Sequence, residues 1–104
     1  MDLMKHKPIR IKDWRQLEAL HQEVYDMDRG RCSLAGEHDE TVYIAPGTPA
    51  HHVNHGCNKE DVKENMLMIC GSCHDRAHNH DYRHIKAACK EYLQQRDGPN
   101  KWNT

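Results

Sequence analysis

Two histidine pairs and one asparagine in the middle of the chain restrict its fold more than any other sequence feature. The stretch reads His51-His52, then Asn65, then Cys70-x-x-Cys73-His74, then His78. Because His74 and His78 are four residues apart, a helix would project both rings from one face, about one turn apart. Two imidazoles on one helical face, joined by one from elsewhere in the fold, are typical of a site for a first-row divalent metal ion.

The two residues of the first histidine pair can have different roles. His51 and His52 are adjacent, so on a strand they point to opposite faces, and one can bind metal while the other stays unligated. An unligated imidazole beside a Lewis-acidic cation is what hydrolysis by general-base catalysis requires. The alternative is that these are solvated or core histidines, which is common for a single residue but less favoured for the whole constellation.

The cysteines do not form the pattern of a disulfide framework. There are five of them, an odd number, and two form Cys70-x-x-Cys73 followed at once by His74. That spacing suits a metal site or a tight turn better than a set of disulfides.

Length and composition predict one small domain with a modest core. The chain has 104 residues, is 37% hydrophobic and contains no Phe, so a bound metal ion or a second subunit in a homodimer would supply part of its stability. No apolar run approaches the ~20 residues of a membrane span, and the N-terminus lacks a signal-peptide pattern. We therefore expect a soluble cytoplasmic protein. A net charge of -1 permits a nucleic-acid ligand without demanding one.

Helical periodicity predicts a first helix over residues 13–29. Asp13 is its N-cap, and Gly30 follows as a stop. Apolar residues recur at helical spacing and are expected to pack in the core, namely Trp14, Leu17, Leu20, Val24 and Met27. His21 on this helix is expected to be a surface residue.

A hairpin and two further helices follow. The sequence predicts paired strands at residues 50–53 and 65–69, joined by a polar loop. A hairpin loop of this length usually has a functional reason for its length. Ser72 is the expected N-cap of a helix that carries His74 and His78. Asp81 is the expected N-cap of a last helix over 81–96. The apolar positions of that helix are Ile85, Ala88, Cys89, Tyr92 and Leu93.

This order of motifs resembles the HNH endonuclease family. The resemblance is carried by residues 50–53 with the histidine pair, by residues 64–70, and by Cys73-His74 with His78, and residues 28–32 are similar to the family's lead-in. It covers roughly residues 14–80. It implies an α+β fold, a small ββα-metal (treble-clef-like) core of hairpin plus helix at 28–80. The helices over 13–29 and 81–96 would flank this core within a single domain, 1–104.

The resemblance also implies a role for each functional residue. His51, His74 and His78 would bind one catalytic divalent cation, which could be Mg, Mn, Ni or Zn. His52 would be the general base, and Asn65 would brace the loop that orients it. The substrate would be DNA, cleaved to a 3′-hydroxyl and a 5′-phosphate. Small stand-alone members of the family are frequent in phages. The resemblance therefore implies that the protein acts in the cytoplasm of a bacterium or of a phage-infected host cell.

One departure from the family concerns a structural zinc ion. Many relatives have a first Cys-x-x-Cys that joins the second pair, but here the first pair reads Cys32-x-x-Ala35. Cys32, Cys70 and Cys73 would then need a fourth ligand, which His38 could supply, or less plausibly Cys57. The alternative is that no structural zinc exists and these cysteines are small buried packing residues.

Two other functions compete with the nuclease. One is a non-catalytic zinc module that binds nucleic acid or protein, but it would have no use for His51 and His52. The other is a degenerate relative that binds DNA without cutting it. The presence of all five functional positions favours the enzyme.

Overall fold

The fold is a short antiparallel hairpin set among three helices. The structure, a computed structural model, describes residues 9–54 and 59–98. The hairpin pairs β1 with β2, so that His51 lies opposite Leu67 and His52 opposite Met66. The predicted α+β architecture with a hairpin between helices is confirmed. The elements are α1 (Trp14–Met27), β1 (His51–His52), β2 (Met66–Leu67), α2 (Gly71–Ala77) and α3 (Tyr82–Asp97), with 3-10 turns at Ala35–Glu37 and Lys63–Asn65.

Helix α1 begins where the sequence predicts, after Asp13, and ends at Met27, two residues before the predicted end. The carboxylate of Asp13 accepts a hydrogen bond from the backbone N–H of Arg15 at 2.9 Å, which is the bond of an N-cap. After Met27 the chain reverses through left-handed backbone, with a φ of 65° at Gly30. A Cβ at Gly30 would come within 2.8 Å of the Tyr25 hydroxyl, so only glycine fits this reversal.

Trp14 does not pack in the core, and that prediction is wrong. Its side chain is 65% exposed, and the guanidinium of Arg15 lies 5.4 Å from its ring centroid. Within α1 only Val24 is fully buried. The physical reason is position, because Arg15 and Gln16 beside Trp14 in the first turn are exposed as well, whereas the buried residue of α1 lies in the second half of the helix.

The core forms where β2 and the segment after it lie between α1 and α3. The largest fully buried apolar side chains are Met66, Leu67, Met68, Ile85, Leu93 and Val24. Three of the apolar positions predicted for α3 are fully buried, Ile85, Cys89 and Leu93, as their helical spacing requires. In residues 9–54 and 59–98, no helix has the length and apolarity to cross a membrane.

Of the two caps predicted for the later helices, Ser72 is wrong, whereas Asp81 occupies the N-cap position without making a capping bond. Helix α2 starts two residues earlier than expected, with Cys70 in the N-cap position, and Ser72 lies exposed inside its first turn. Asp81 does precede α3, but its side chain makes no capping bond. Its carboxylate instead accepts from the guanidinium of Arg76 at 2.8 Å, and a charged donor competes successfully with a backbone N–H.

A buried ion pair joins the end of α1 to α3 and to the strand between them. The carboxylate of Asp28 accepts from Arg96 at 3.0 Å, from the Tyr92 hydroxyl at 2.6 Å and from the backbone N–H of Met68 at 2.7 Å. Arg96 also donates to the carbonyl of Met66 at 3.0 Å. Burial and the hydrogen bond to Asp28 raise the pKa of Tyr92 to about 12, so its hydroxyl stays a donor.

We expect Arg96→Met to lower the free energy of unfolding by about 3 kcal/mol, because it leaves the Asp28 carboxylate buried without its cation. Arg83→Met, on the exposed side of the same helix, should change it by less than about 0.5 kcal/mol. Urea denaturation in the presence of zinc measures both. Equal stability of the two variants would show that the buried pair contributes nothing net.

Candidate metal centres

Three imidazoles from two elements meet on one side of the hairpin. His51 comes from β1, His74 from α2, and His78 occupies the C-cap of α2. The ring centroids of His51 lie 5.4 Å from His74 and 5.8 Å from His78, and the two α2 rings are 4.5 Å apart. One nitrogen from each ring lies within 4.8 Å of the other two. The structure thus brings together the three residues predicted to bind the catalytic cation.

This three-histidine cluster fits a divalent ion. Rings that bind one ion through a nitrogen at about 2.1 Å have centroids about 4.5–5.5 Å apart, close to the observed spacings. His74 and His78 are exposed, so the cluster is open to solvent. Three protein ligands with an accessible face are the arrangement of catalytic rather than structural metal sites. The cluster could therefore hold a cation with a coordination position open to solvent.

A second cluster of four ligands lies between the 3-10 turn at Ala35–Glu37 and α2. His38 Nε2 is 3.4 Å from the sulfur atoms of both Cys70 and Cys73, and the sulfur of Cys32 is 3.9 Å from that of Cys73. Ligands around a tetrahedral zinc ion lie about 3.5–3.8 Å apart. This Cys3His cluster could therefore bind a metal such as zinc.

In the Cys3His cluster, His38 stands where a fourth cysteine would complete the set of ligands. The 3-10 turn at Ala35–Glu37 carries the chain past Ala35 and places His38 over the two thiols of the Cys70-x-x-Cys73 motif. Glu37 fixes this turn, since its carboxylate binds Arg76 of α2 at 2.9 Å and His84 of α3 at 3.0 Å. The alternative ligand, Cys57, lies outside the described residues.

The protonation of the three thiols couples metal binding to proton release. Burial raises the pKa of Cys32 and of Cys73 above the ordinary thiol value. Burial acts in the same direction on Cys70, but hydrogen bonds from Cys73 outweigh it and lower the pKa of Cys70. A zinc ion would have to displace protons from these thiols, would compensate the three thiolates at once, and would be coupled to folding.

His52 faces the other side of the hairpin from the three-histidine cluster. Its Nε2 lies 2.9 Å from a carboxylate oxygen of Asp61, and its ring centroid is 6.0 Å from that of His21 on α1. Its side chain is 12% exposed. Burial lowers the pKa of His52, and the hydrogen bond to Asp61 only partly opposes this. The ring is therefore neutral near pH 7 and can accept a proton.

His21 is not the surface residue that its position on an amphipathic helix predicted. Its Nδ1 accepts a hydrogen bond from the backbone N–H of Ala50 at 2.8 Å, and burial lowers its pKa. The bond fixes the start of β1 against α1. The earlier prediction was wrong because the partner is a backbone group 29 residues away, which helix periodicity cannot reveal.

Asn65 is buried and ties together the two ends of the polar loop. Its side-chain oxygen accepts from the backbone N–H of Asn54 at 2.9 Å, and its amide nitrogen donates to the carbonyls of Asn54 and Glu60, both at 3.0 Å. These are bracing hydrogen bonds of the kind expected of this residue. Its contribution to catalysis stays a prediction.

Asp61 was missed by sequence reasoning. It lies in a polar loop among several charges and belongs to no local motif. In the fold it is 6% exposed, and its carboxylate binds His52 on one side and the backbone N–H of Ile11 on the other, the latter at 2.8 Å. Burial alone would raise the pKa of Asp61, but these two hydrogen bonds outweigh it and lower that pKa. Asp61 is therefore a carboxylate at neutral pH.

Comparison of the chain with protein-family models, curated proteins and solved structures finds no match. The chemistry of the two clusters and of the His52–Asp61 pair therefore supplies the basis for a functional assignment.

We expect the Cys3His cluster to bind one zinc ion that stabilises the fold. Replacement by Co²⁺ should give a thiolate charge-transfer band, which Cys73→Ser should lose together with much of the thermal stability. Cys89→Ala is the matched control, because Cys89 is equally buried and lies outside the cluster. A band unchanged in Cys73→Ser would rule out this ligand set.

A second, weaker ion should bind at the three-histidine cluster. After the thiol site is filled with zinc, calorimetric titration with Ni²⁺ should show one further site per chain. His74→Ala should weaken that site at least about tenfold, because it removes one of three ligands. His80→Ala, a histidine with an 89% exposed side chain just beyond α2, should leave the affinity unchanged. Equal affinity in the two variants would contradict the site.

Proposed function

We propose that this chain is a metal-dependent endonuclease that hydrolyses phosphodiester bonds of DNA. The observation that carries the proposal is the convergence of His51, His74 and His78 around one point, with the neighbouring His52 hydrogen-bonded to a buried carboxylate. A hairpin followed directly by a helix is compatible with a ββα-metal core. The proposal combines a cation site with a proton acceptor, the two requirements for hydrolysis of a phosphodiester.

The role of the cation site is to stabilise negative charge that develops on the substrate. A divalent cation held by His51, His74 and His78 would supply positive charge to a phosphate oxygen and to the leaving 3′ oxygen. The chain's own task there is to hold three neutral imidazoles at fixed positions. Pairing of β1 with β2 fixes His51, and one turn of α2 fixes the other two.

His52 takes the role of general base. A water molecule gives one proton to a ring nitrogen of His52 while its oxygen forms a bond to phosphorus. The bond between phosphorus and the 3′ oxygen breaks, and that oxygen takes a proton from solvent. The products are a 3′-hydroxyl and a 5′-phosphate. The lowered pKa of His52 suits this role, because the ring is in its proton-accepting form at neutral pH.

The orientation of the two histidines on the hairpin determines how a substrate would approach. The ring of His51 contacts α2, whereas the ring of His52 contacts His21 of α1, so the two side chains lie on opposite sides of β1. Among the described residues, β1 pairs only with β2 in the sheet. A phosphodiester lying across β1 would meet the cation on one side and His52 on the other.

The surface of the described residues offers cationic groups for a DNA backbone. Arg29 and Arg83 are exposed, and neither forms an ion pair with the residues that the structure describes. Arg76 is different, because Glu37 and Asp81 occupy its guanidinium. Contacts to phosphate carry no sequence information, so we expect cleavage with little sequence preference.

The alternative function, a zinc-dependent interaction module, uses only the Cys3His cluster. That cluster alone would support such a module. However, it gives no role to three further imidazoles around a common point, or to a buried carboxylate beside His52. These features favour the enzyme over the module.

We expect the protein to nick supercoiled plasmid DNA in the presence of Mg²⁺, Mn²⁺, Ni²⁺ or Zn²⁺, and chelator to abolish the reaction. His52→Ala should lower the rate by at least about 100-fold, within the range of general-base contributions, while binding metal as well as the wild type. His80→Ala should cleave normally. Gel electrophoresis of the plasmid measures the rate.

Wild-type protein that cuts with none of these ions would reject the nuclease. If it still bound DNA or a protein partner in a zinc-dependent manner, the interaction module would be supported instead. Full activity in His52→Ala would reject the assigned base alone.

A further inference from the structure

The two carboxylate oxygens of Asp61 have different hydrogen-bond partners. One oxygen lies 2.9 Å from Nε2 of His52, and the other accepts from the backbone N–H of Ile11 at 2.8 Å. The residue is 6% exposed, so water does not readily replace either partner. Asp61 therefore presents one fixed acceptor to one nitrogen of the ring.

This arrangement selects one tautomer of His52. An ionised carboxylate can only accept hydrogen bonds, so the neutral ring must carry its proton on Nε2 and keep its lone pair on Nδ1. Among the described residues, no hydrogen bond involves Nδ1 of His52. We propose that Asp61 is a positioning residue that fixes the tautomer of His52, so that Nδ1 is the atom that accepts the proton from water. The inference rests on the proposed nuclease function.

The position of Asp61 is itself held from the N-terminal side of the chain. The backbone N–H of Asp61 donates to the carbonyl of Ile9 at 2.8 Å, and the carboxylate of Glu60 accepts from the N–H of Ile9 at 3.0 Å. Asn65 holds the same loop from the other side through the carbonyl of Glu60. The loop cannot carry Asp61 away from His52 without breaking several buried hydrogen bonds.

Asparagine at position 61 should reverse the tautomer. The backbone N–H of Ile11 can only donate, so the side-chain oxygen of Asp61→Asn must stay with it. The amide NH₂ then faces Nε2 of His52, which must become the acceptor, and the ring proton moves to Nδ1. A ring protonated at Nδ1 cannot take a proton there. The same logic makes an asparagine in place of the aspartate of a Ser-His-Asp triad so damaging.

The proposal predicts an order of activities that a purely structural role would not give. Asp61→Asn should lower kcat at least about 100-fold, because it holds the wrong tautomer. Asp61→Ala should lower it only about tenfold, because the ring is then free to adopt either tautomer. KM for DNA should change less than twofold in both, since Asp61 does not touch the substrate. Kinetics on a supercoiled plasmid with the preferred ion measure all four quantities.

The tautomer can be read without any cleavage. In zinc-loaded protein at about pH 8, ¹⁵N spectra of the histidine rings should show His52 protonated at Nε2 in the wild type and at Nδ1 in Asp61→Asn. The absence of these signals in His52→Ala identifies them. The affinity of the three-histidine cluster for Ni²⁺ should stay close to wild type in both Asp61 variants. The thermal midpoint should also stay close to wild type in Asp61→Asn, which keeps both hydrogen bonds, whereas Asp61→Ala should lower it because the N–H of Ile11 loses its acceptor.

Glu60→Gln is the matched control for the neighbouring buried carboxylate. It removes a charge but keeps an oxygen that can accept from the N–H of Ile9, so kcat should stay within about twofold of wild type. If loss of charge in this loop or looser packing of the N-terminal segment were the cause, Glu60→Gln would be as slow as Asp61→Asn.

The possible outcomes distinguish failure of the positioning role of Asp61 from failure of the proposed nuclease function. Active wild type with an equally active Asp61→Asn variant overturns the positioning role and leaves the nuclease standing. A wild-type ring protonated at Nδ1 overturns the assigned tautomer, whatever the activity. Wild type that cleaves nothing overturns the nuclease and, with it, any catalytic role for Asp61, even where the spectra show the expected tautomer.

Discussion

The antiparallel pairing of β1 with β2 fixes the chemistry of both faces of the hairpin. With His51 opposite Leu67 and His52 opposite Met66, one imidazole faces α2 and the other faces α1. A slip of one residue would exchange the two faces, because side chains alternate along a strand. Burial of the strand after Asn65 makes such a slip costly, and the hydrogen bonds of Asn65 close the loop at the same register.

Around this hairpin the fold compensates for a small core with polar contacts at long range. The Asp28–Arg96 pair ties the end of α1 to α3, and Glu37 ties the turn before His38 to α2 and α3. A four-ligand Cys3His cluster joins the same turn to the start of α2. If zinc fills that cluster, its binding energy becomes folding energy, which a chain with so few large apolar side chains needs.

The two sides of β1 also differ in how their histidines are held. His74 and His78 are exposed, and their ring nitrogens lie near that of His51 at the surface. His52 is held by protein alone, through a carboxylate and the edge of the His21 ring. The structure therefore places an exposed set of three imidazoles on one side of β1 and a mostly buried imidazole with a fixed orientation on the other.

The sequence by itself determined the elements whose signals are local. The helical spacing of Ile85, Cys89 and Leu93, the Asp13 cap and the i, i+4 spacing of His74 and His78 each depend on residues within a turn or two. It also indicated the candidate metal ligands, His38 included, because their types and order were visible in the chain. The tertiary structure decided the partners of Asp61, His21 and Asp81 and the exposure of Trp14. Those outcomes depend on which groups arrive from distant parts of the chain, and the hydrogen-bonding capacity of a polar side chain does not specify its partner.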